Sequence, residues 1–177
     1  IGSVYLPPET VLQVLFGRVD SSDPSYIIVW NMRLSRVIAS MFGGAALSLS
    51  GLLLQILFQN PIADPYILGI SSGARLAVGM MLLGGVMVGF HVTNPWILFL
   101  GALSGALAVM ALMLLFSARV RSVTTLLIVG MMVGYFCSAL VGLLVAFSDD
   151  SSIADFTRWT MGSFGLMTWP KIYVLVL

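Results

Sequence analysis

The hydrophobic residues of this chain fall into long runs without charge. Three such runs cover residues 37–58, 95–116 and 122–148. A helix needs about 20 apolar residues to cross a hydrocarbon core of about 30 Å. Each run therefore predicts a membrane span, and the last is long enough to tilt or to extend into the interface.

A fourth apolar run, residues 76–90, holds only 15 uncharged residues. It reaches spanning length only if residues 66–75, which are rich in Gly and Ser, contribute helical turns. Such a segment is tolerated at membrane depth where protein or a water-filled cavity satisfies its exposed backbone groups. The pattern therefore predicts a broken helix. A further apolar stretch, residues 165–177, allows about 20 Å of helix and predicts the start of another span.

The first 32 residues have a different pattern. Residues 8–16 predict a short surface helix, with Pro8 in the first turn, Glu9 at the positive helix end and one apolar face. We expect residues 1–32 to lie outside the membrane, on the bilayer surface, and residues 33–177 to form the transmembrane part. Because no leader precedes the first residue and the last apolar run is short, we expect a fragment of a longer protein.

Composition excludes several classes of protein. Hydrophobic residues make up 59% and charged residues 8% of the chain, against about 25% charged in an average soluble domain. The net charge of +1 provides no basic footprint for nucleic acid. A single cysteine, Cys137, and a single histidine, His91, cannot build a disulfide framework, a zinc site or a catalytic triad. We expect no cofactor or metal, and Cys137 to be a small buried hydrophobic residue.

The chain also lacks a Gly-Lys-Ser/Thr phosphate-binding loop, since its only lysine is Lys171. Any energy from ATP must therefore come through another subunit, and the chain itself is not expected to be an enzyme. An intramembrane enzyme is disfavoured because no nucleophile, base and orienting group can be assembled from these residues.

Small residues recur on one face of the third long run. Gly130, Gly134, Ser138 and Gly142 lie at intervals of four. Lipid provides no hydrophobic gain for helix association, so close approach through small residues must supply the contact. The pattern predicts a neighbouring helix along this face, and the alternative is that part of the groove lines a solute pathway.

Two pairs of charged residues bear on function. Asp64 and Arg75 are the ionisable residues near membrane depth. They could pair with each other, Arg75 could face a solute, or Arg75 could snorkel to the interface. If the loop that contains Arg119 is cytoplasmic, Arg33 and Arg36 lie outside, against the positive-inside rule. They then need another reason, such as the carboxylates of a partner protein.

Residues 60–74 read Asn-Pro-Ile-Ala-Asp-Pro-Tyr-Ile-Leu-Gly-Ile-Ser-Ser-Gly-Ala. This closely resembles the Asn-Pro-Leu-Ala-acidic-Pro, Leu-Gly-Val-Ser, Gly-Ala signature of the permease subunits of bacterial binding-protein-dependent importers for iron-siderophores, haem and cobalamin. Residues 33–36, Arg-Leu-Ser-Arg, resemble the Arg-Leu-Pro-Arg of that family, and residues 126–130 and 159–165 also fit. Ser35 replaces the usual proline and provides a possible N-cap oxygen.

The resemblance implies an all-α polytopic bundle of roughly ten spans, of which this chain would form the second to the start of the sixth. It implies a multi-pass protein of the bacterial inner membrane, with residues 1–32 on the periplasmic side. The implied partners are a second permease subunit, in a homodimer, two cytoplasmic ATPase subunits and an external solute-binding protein. A secondary transporter or channel, which would also use broken helices, is the alternative.

The resemblance also implies roles for particular residues. Arg33 and Arg36 would dock acidic residues of the solute-binding protein, with anchoring to lipid phosphate as the alternative. Ser122 and Thr124 would constrict a cytoplasmic gate, with helix capping as the alternative. We expect the prolines to end one helix and Asn60 to cap a turn. The residues expected to shape the pathway at the broken helix are Asn60, Pro61, Asp64, Pro65, Gly69, Ser71, Ser72, Gly73 and Arg75.

Overall fold

The computed structural model describes residues 4–61, 64, 66, 68–85, 89, 94–120, 122–169 and 172–173. Every regular element among these residues is helical, as the sequence predicts. A short 3₁₀ turn covers Phe164–Leu166. Among the described residues we number six helices: α1 (Pro8–Leu15), α2 (Pro24–Phe58), α3 (Ile70–Gly84), α4 (Pro95–Ser117), α5 (Val123–Ala146) and α6 (Asp150–Thr160).

Three of these helices carry the three predicted spans. Helices α2, α4 and α5 contain 35, 23 and 24 residues, and each is apolar enough to cross a membrane. Helix α3 is the shorter apolar helix that the fourth run predicts. Its first part, Ile70–Gly79, is α-helical, and its second part, Met80–Gly84, is π-helical.

Helix α2 begins much earlier than the uncharged run predicts. The Asp23 side chain accepts a hydrogen bond from the Ser25 backbone N–H at 2.7 Å, and Pro24 occupies the first helical position. Both features favour a helix start. The segment Ile27–Leu34 is π-helical and runs into the α-helical segment Ser35–Phe58. Residues 24–32 thus share a helix with the predicted span, and their position outside the bilayer stays a prediction.

The chain divides into two units, of which the first contains Ile1–Leu49 and Ser163–Leu177. Helix α1 forms close to its predicted bounds and contacts the π-helical segment of α2, with Val14 and Val29 buried. Trp30 stacks on Tyr26 and lies against Trp169, at ring-centroid distances of 6.0 and 5.7 Å. These contacts are the core of the first unit.

The second unit, Ser50–Gly162, is built around α3, which packs against both α4 and α5. One core cluster contains Val78, Leu83, Val141 and Phe156. A second cluster contains Val109, Met113 and Cys137. Cys137 is therefore the buried hydrophobic residue that the sequence predicts.

Candidate functional site

The candidate site is the break between α2 and α3. Helix α2 ends at Phe58 in a Schellman turn: the Gln59 N–H donates to Ile56 O at 3.2 Å and the Asn60 N–H donates to Gln55 O at 3.1 Å. Gln59 has a left-handed backbone, with φ of +49°. The helix thus ends at the turn that Gln59 closes, three residues before Pro61.

The polar residues of the break do not form the ion pair that the sequence suggested. The Asp64 carboxylate accepts a hydrogen bond from the Tyr66 backbone N–H at 2.7 Å, which closes a local turn. Arg75 is exposed on α3. In the described part of the chain the one ion pair joins Arg158 to Asp155, so the pairing of Asp64 with Arg75 is corrected. Pro65 lies outside the described residues.

Gly69, the residue before the first helical residue of α3, has a left-handed backbone, φ +73°, and lies in close contact with α5. A Cβ atom at Gly69 would lie 2.8 Å from the Gly130 carbonyl oxygen and 3.0 Å from the Gly134 nitrogen. Ser72, half-buried, lies over the same face, 3.5 Å from the position of a Cβ at Gly134. The structure therefore brings the broken-helix residues against Gly130 and Gly134, the first two of the four small residues that recur on one face of α5.

The other two small residues of this face are not covered by any described part of the chain. Ser138 and Gly142 are exposed, and a Cβ at Gly142 would meet no described atom within 4 Å. Only Gly130 and Gly134 thus have the predicted neighbour within the described chain. An open small-residue face on an apolar helix is suited to contact another helix or a solute.

Helix α3 also packs on α4, through a second close approach. A Cβ at Gly73 would lie 2.6 Å from the Gly105 carbonyl oxygen and would overlap the Val109 side chain. Ser71 is half-buried in the same turn. Glycine is therefore required where α3 passes between α4 and α5, because neither neighbouring backbone leaves room for a side chain.

Arg33 and Arg36 each bind a backbone carbonyl from a distant segment. Arg33 donates to Val4 O, and the Arg36 Nη2 atom donates to Gly165 O at 3.1 Å. Arg36 is exposed and Arg33 is half-buried. A guanidinium has five N–H donors, so each arginine keeps donors for a further partner.

Ser35 lies between the two arginines and is fully buried. Its hydroxyl lies 2.6 Å from Asn31 O, 3.2 Å from Met32 O and 3.2 Å from Met167 O. The prediction of an N-cap role for Ser35 is wrong, because α2 already begins at Pro24. The hydroxyl instead lies within hydrogen-bond distance of two carbonyl groups of the helix and of the Met167 carbonyl group outside it.

The carbonyl partners Gly165 and Met167 could not be found from the sequence. They lie 129 and 132 positions from Arg36 and Ser35, and no spacing connects them. In the second unit, the Ser122 hydroxyl accepts from the Thr125 N–H at 3.4 Å and caps α5. The helix cap, which is the alternative role of Ser122, is thus present in the structure. Thr124 is exposed in the first turn of α5.

Three helices of membrane length and a short broken helix that packs on two of them through glycine define a polytopic α-helical membrane protein. Residues 1–177 match the FecCD transport family, and the chain belongs to this family. It is a multi-pass membrane protein.

The relatives show how much of such a protein this chain covers. It is 39% identical over 175 residues to the vitamin B12 import system permease protein BtuC of Klebsiella pneumoniae, covering 99% of this chain and 49% of that protein. It is 37% identical over 150 residues to the BtuC of Salmonella newport, covering 85% and 45%. The chain thus spans about half the length of these relatives.

A solved structure is also similar. It is described as an inward-facing conformation of a metal-chelate type ABC transporter, and it superposes with a TM-score of 0.75 at 29% sequence identity. The match covers 93% of this chain and 54% of that one.

Proposed function

We propose that the chain belongs to the membrane-spanning permease subunit of an ATP-driven importer that carries an iron chelate, a siderophore or haem, or cobalamin across the bacterial inner membrane. The observation that carries this proposal is the family match over residues 1–177, together with 39% identity to a vitamin B12 permease. ATP hydrolysis would take place in partner subunits.

The proposed assembly contains two permease subunits, two ATPase subunits and an external solute-binding protein. Substrate passes along the interface of the two permeases while ATP binding and hydrolysis shift the helices between outward-open and inward-open states. The open face at Ser138 and Gly142 supports a place for α5 beside that pathway. Ser122 and Thr124 would constrict its cytoplasmic end.

Arg33 and Arg36 are proposed to dock carboxylates of the solute-binding protein. The donors that remain beyond the carbonyl bonds to Val4 and Gly165 support this role. A single exposed ion pair contributes only about 0 to 1 kcal/mol, but charge complementarity accelerates encounter and makes it sensitive to salt.

The docking role is tested by replacing both arginines with glutamate in the full-length permease. We expect weaker binding of the solute-binding protein and a smaller dependence of the dissociation constant on salt. Arg158, which pairs with Asp155 on α6, provides the control in an Arg158→Glu variant. Docking and salt dependence that stay unchanged in the double variant would exclude the docking role.

The transport function is tested by uptake into vesicles that contain the complete complex. Haem, cobalamin and several ferric siderophores are compared, each with ATP and with an ATPase subunit that cannot hydrolyse it. We expect uptake of one class of chelate, and only with hydrolysis. Uptake that persists without the ATPase subunits would contradict the proposal and favour a secondary transporter or channel.

A further inference from the structure

Residues 163–167, here called the clasp segment, are held against the start of the long α-helical part of α2 at three points. Gly165 O accepts from Arg36, and Met167 O lies 3.2 Å from the Ser35 hydroxyl. The Phe164 ring lies over Gly43, where a Cβ atom would approach it to 3.2 Å. Two adjacent residues of α2 thus bind two carbonyls of one short segment.

Arg36 and Ser35 differ in the partners that their side chains can contact. Arg36 is exposed and can contact another protein. Ser35 is fully buried, and its hydroxyl oxygen is surrounded by three carbonyl groups, so its proton binds within the chain. One of these carbonyl groups, that of Met167, belongs to the clasp segment, so an effect of Ser35 on a docked partner can reach Arg36 through that segment.

We propose that Ser35 is a positioning residue for docking: its hydroxyl holds the clasp segment, and Gly165 O of that segment holds the Arg36 guanidinium in one orientation. This inference rests on the proposed function. Arginine loses much rotamer freedom when it is ordered at an interface, and ordering it beforehand improves affinity. The proline of the resembling family motif carries no hydroxyl, so this device belongs to the present chain.

The test uses the full-length permease with its ATPase subunits in lipid nanodiscs and the purified solute-binding protein of the same importer. A side chain that must be ordered on binding costs about 0.5 to 1.5 kcal/mol, so we expect Ser35→Ala to weaken docking about two- to tenfold. The control is Ser40→Ala, because the Ser40 hydroxyl bonds Val37 O at 2.8 Å on an exposed face of the same helix. We expect this control to dock as the parent protein does.

The effect of Ser35→Ala on docking is then measured again in a protein that also carries Arg36→Gln. If Ser35 acts through Arg36, Ser35→Ala adds no further loss in that background, which is the signature of coupled residues. An equal loss in both backgrounds would show a merely structural effect and overturn the inference. If the Ser35→Ala protein does not accumulate, Ser35→Cys, of similar volume and with a weak donor, is expected to show the same coupling.

The outcomes separate this inference from the function on which it rests. Docking that is weakened by Arg36→Gln but not by Ser35→Ala or Ser35→Cys would overturn the positioning role alone. Docking that is unchanged by Arg36→Gln would overturn the docking role of Arg36 and the positioning role with it. Docking weakened by Arg36→Gln and by Ser35→Ala, without additivity, supports both.

Discussion

A glutamine at the end of α2 occupies a backbone conformation that usually belongs to glycine. Gln59 has φ of +49° and closes the Schellman turn that separates α2 from the break. A left-handed conformation costs an L-residue with a side chain about 1 to 2 kcal/mol, whereas glycine adopts it freely. The chain thus stores a small strain at the point where the helix must stop.

We predict that Gln59→Gly stabilises the permease by about 1 kcal/mol, because it removes this strain. Gln55→Gly is the control: it lies inside the same helix, where glycine is expected to destabilise by a similar amount. Thermal unfolding of the full-length protein in detergent measures both. A destabilised Gln59→Gly variant would show that the glutamine side chain is required at the turn.

A second residue of the break has no room for any side chain. Gly69→Ala meets both a positive φ and the backbone of Gly130 and Gly134, which cannot move aside as a side chain can. We predict a loss of at least about 2 kcal/mol in unfolding free energy.

The matched control for Gly69→Ala is Gly44→Ala, in a position on α2 where a Cβ would meet no described atom within 4 Å. Alanine is expected to be neutral there, or to stabilise by up to about 1 kcal/mol through helix propensity. Unfolding in a graded denaturant compares the two variants. Equal stability would show that the close approach of α3 and α5 does not limit the fold.

Two of the long helices have ends that local sequence determines. The runs 95–116 and 122–148 predict spans, and the helices cover Pro95–Ser117 and Val123–Ala146. Caps at Asn94 and Ser122 begin both helices. These bounds are local properties, because an apolar run and a capping side chain act within a few residues.

Helix α6 contains no long apolar run, so the pattern that predicts the spans does not predict it. Ile153, Phe156 and Trp159 recur at intervals of three and pack against the core around Val78. This apolar stripe predicts an amphipathic helix, but it is short and lies among charged residues, so a search for long uncharged runs does not find it. Asp149 caps the helix.

The cap of α6 makes its stability depend on pH. The Asp149 carboxylate accepts from the Ser151 hydroxyl and from the Ser152 N–H, and these bonds hold the pKa of Asp149 well below its ordinary value of 3.8. A lowered folded-state pKa means that the cap contributes fully above that ordinary value and is lost as the pH falls below it.

We predict that hydrogen exchange of residues 150–160 accelerates between about pH 4 and pH 2 in excess of the intrinsic pH dependence, since Asp149 takes up a proton there more readily in the opened helix than in the capped one. Asp149→Asn keeps a capping oxygen without a titrating group, so it is expected to remove this excess. Asp150→Asn, one residue later, is the control and should retain it. An excess that survives in Asp149→Asn would assign the effect to another group.

At the scale of the whole molecule, most of the apolar surface of the long helices is uncovered. Side chains on both sides of α2 are exposed, among them Met41, Leu49 and Leu57. Exposed apolar area of this extent is not stable in water. These faces therefore require lipid or further protein, in agreement with a chain that spans about half the length of its relatives.

Arg75 is exposed on α3 and has no ion-pair partner among the described residues, which favours a role outside the packing of this unit. We predict that Arg75→Ala reduces uptake of an anionic chelate more than it reduces the amount of permease in the membrane. Arg75→Lys, which keeps the charge, is expected to retain part of the uptake. Equal losses of uptake and abundance in Arg75→Ala would indicate a structural role instead.

Sequence alone determined the class of this protein, the three spans, the broken helix and the family resemblance. Each depends on neighbouring residues: the length of an apolar run, a proline or glycine at a turn, a short motif. Only the tertiary structure decided which atoms meet. Gly69 lies against Gly130, Arg36 binds Gly165 and Asp64 does not bind Arg75. Such pairs are far apart in the chain, and packing, rather than spacing, brings them together or keeps them apart.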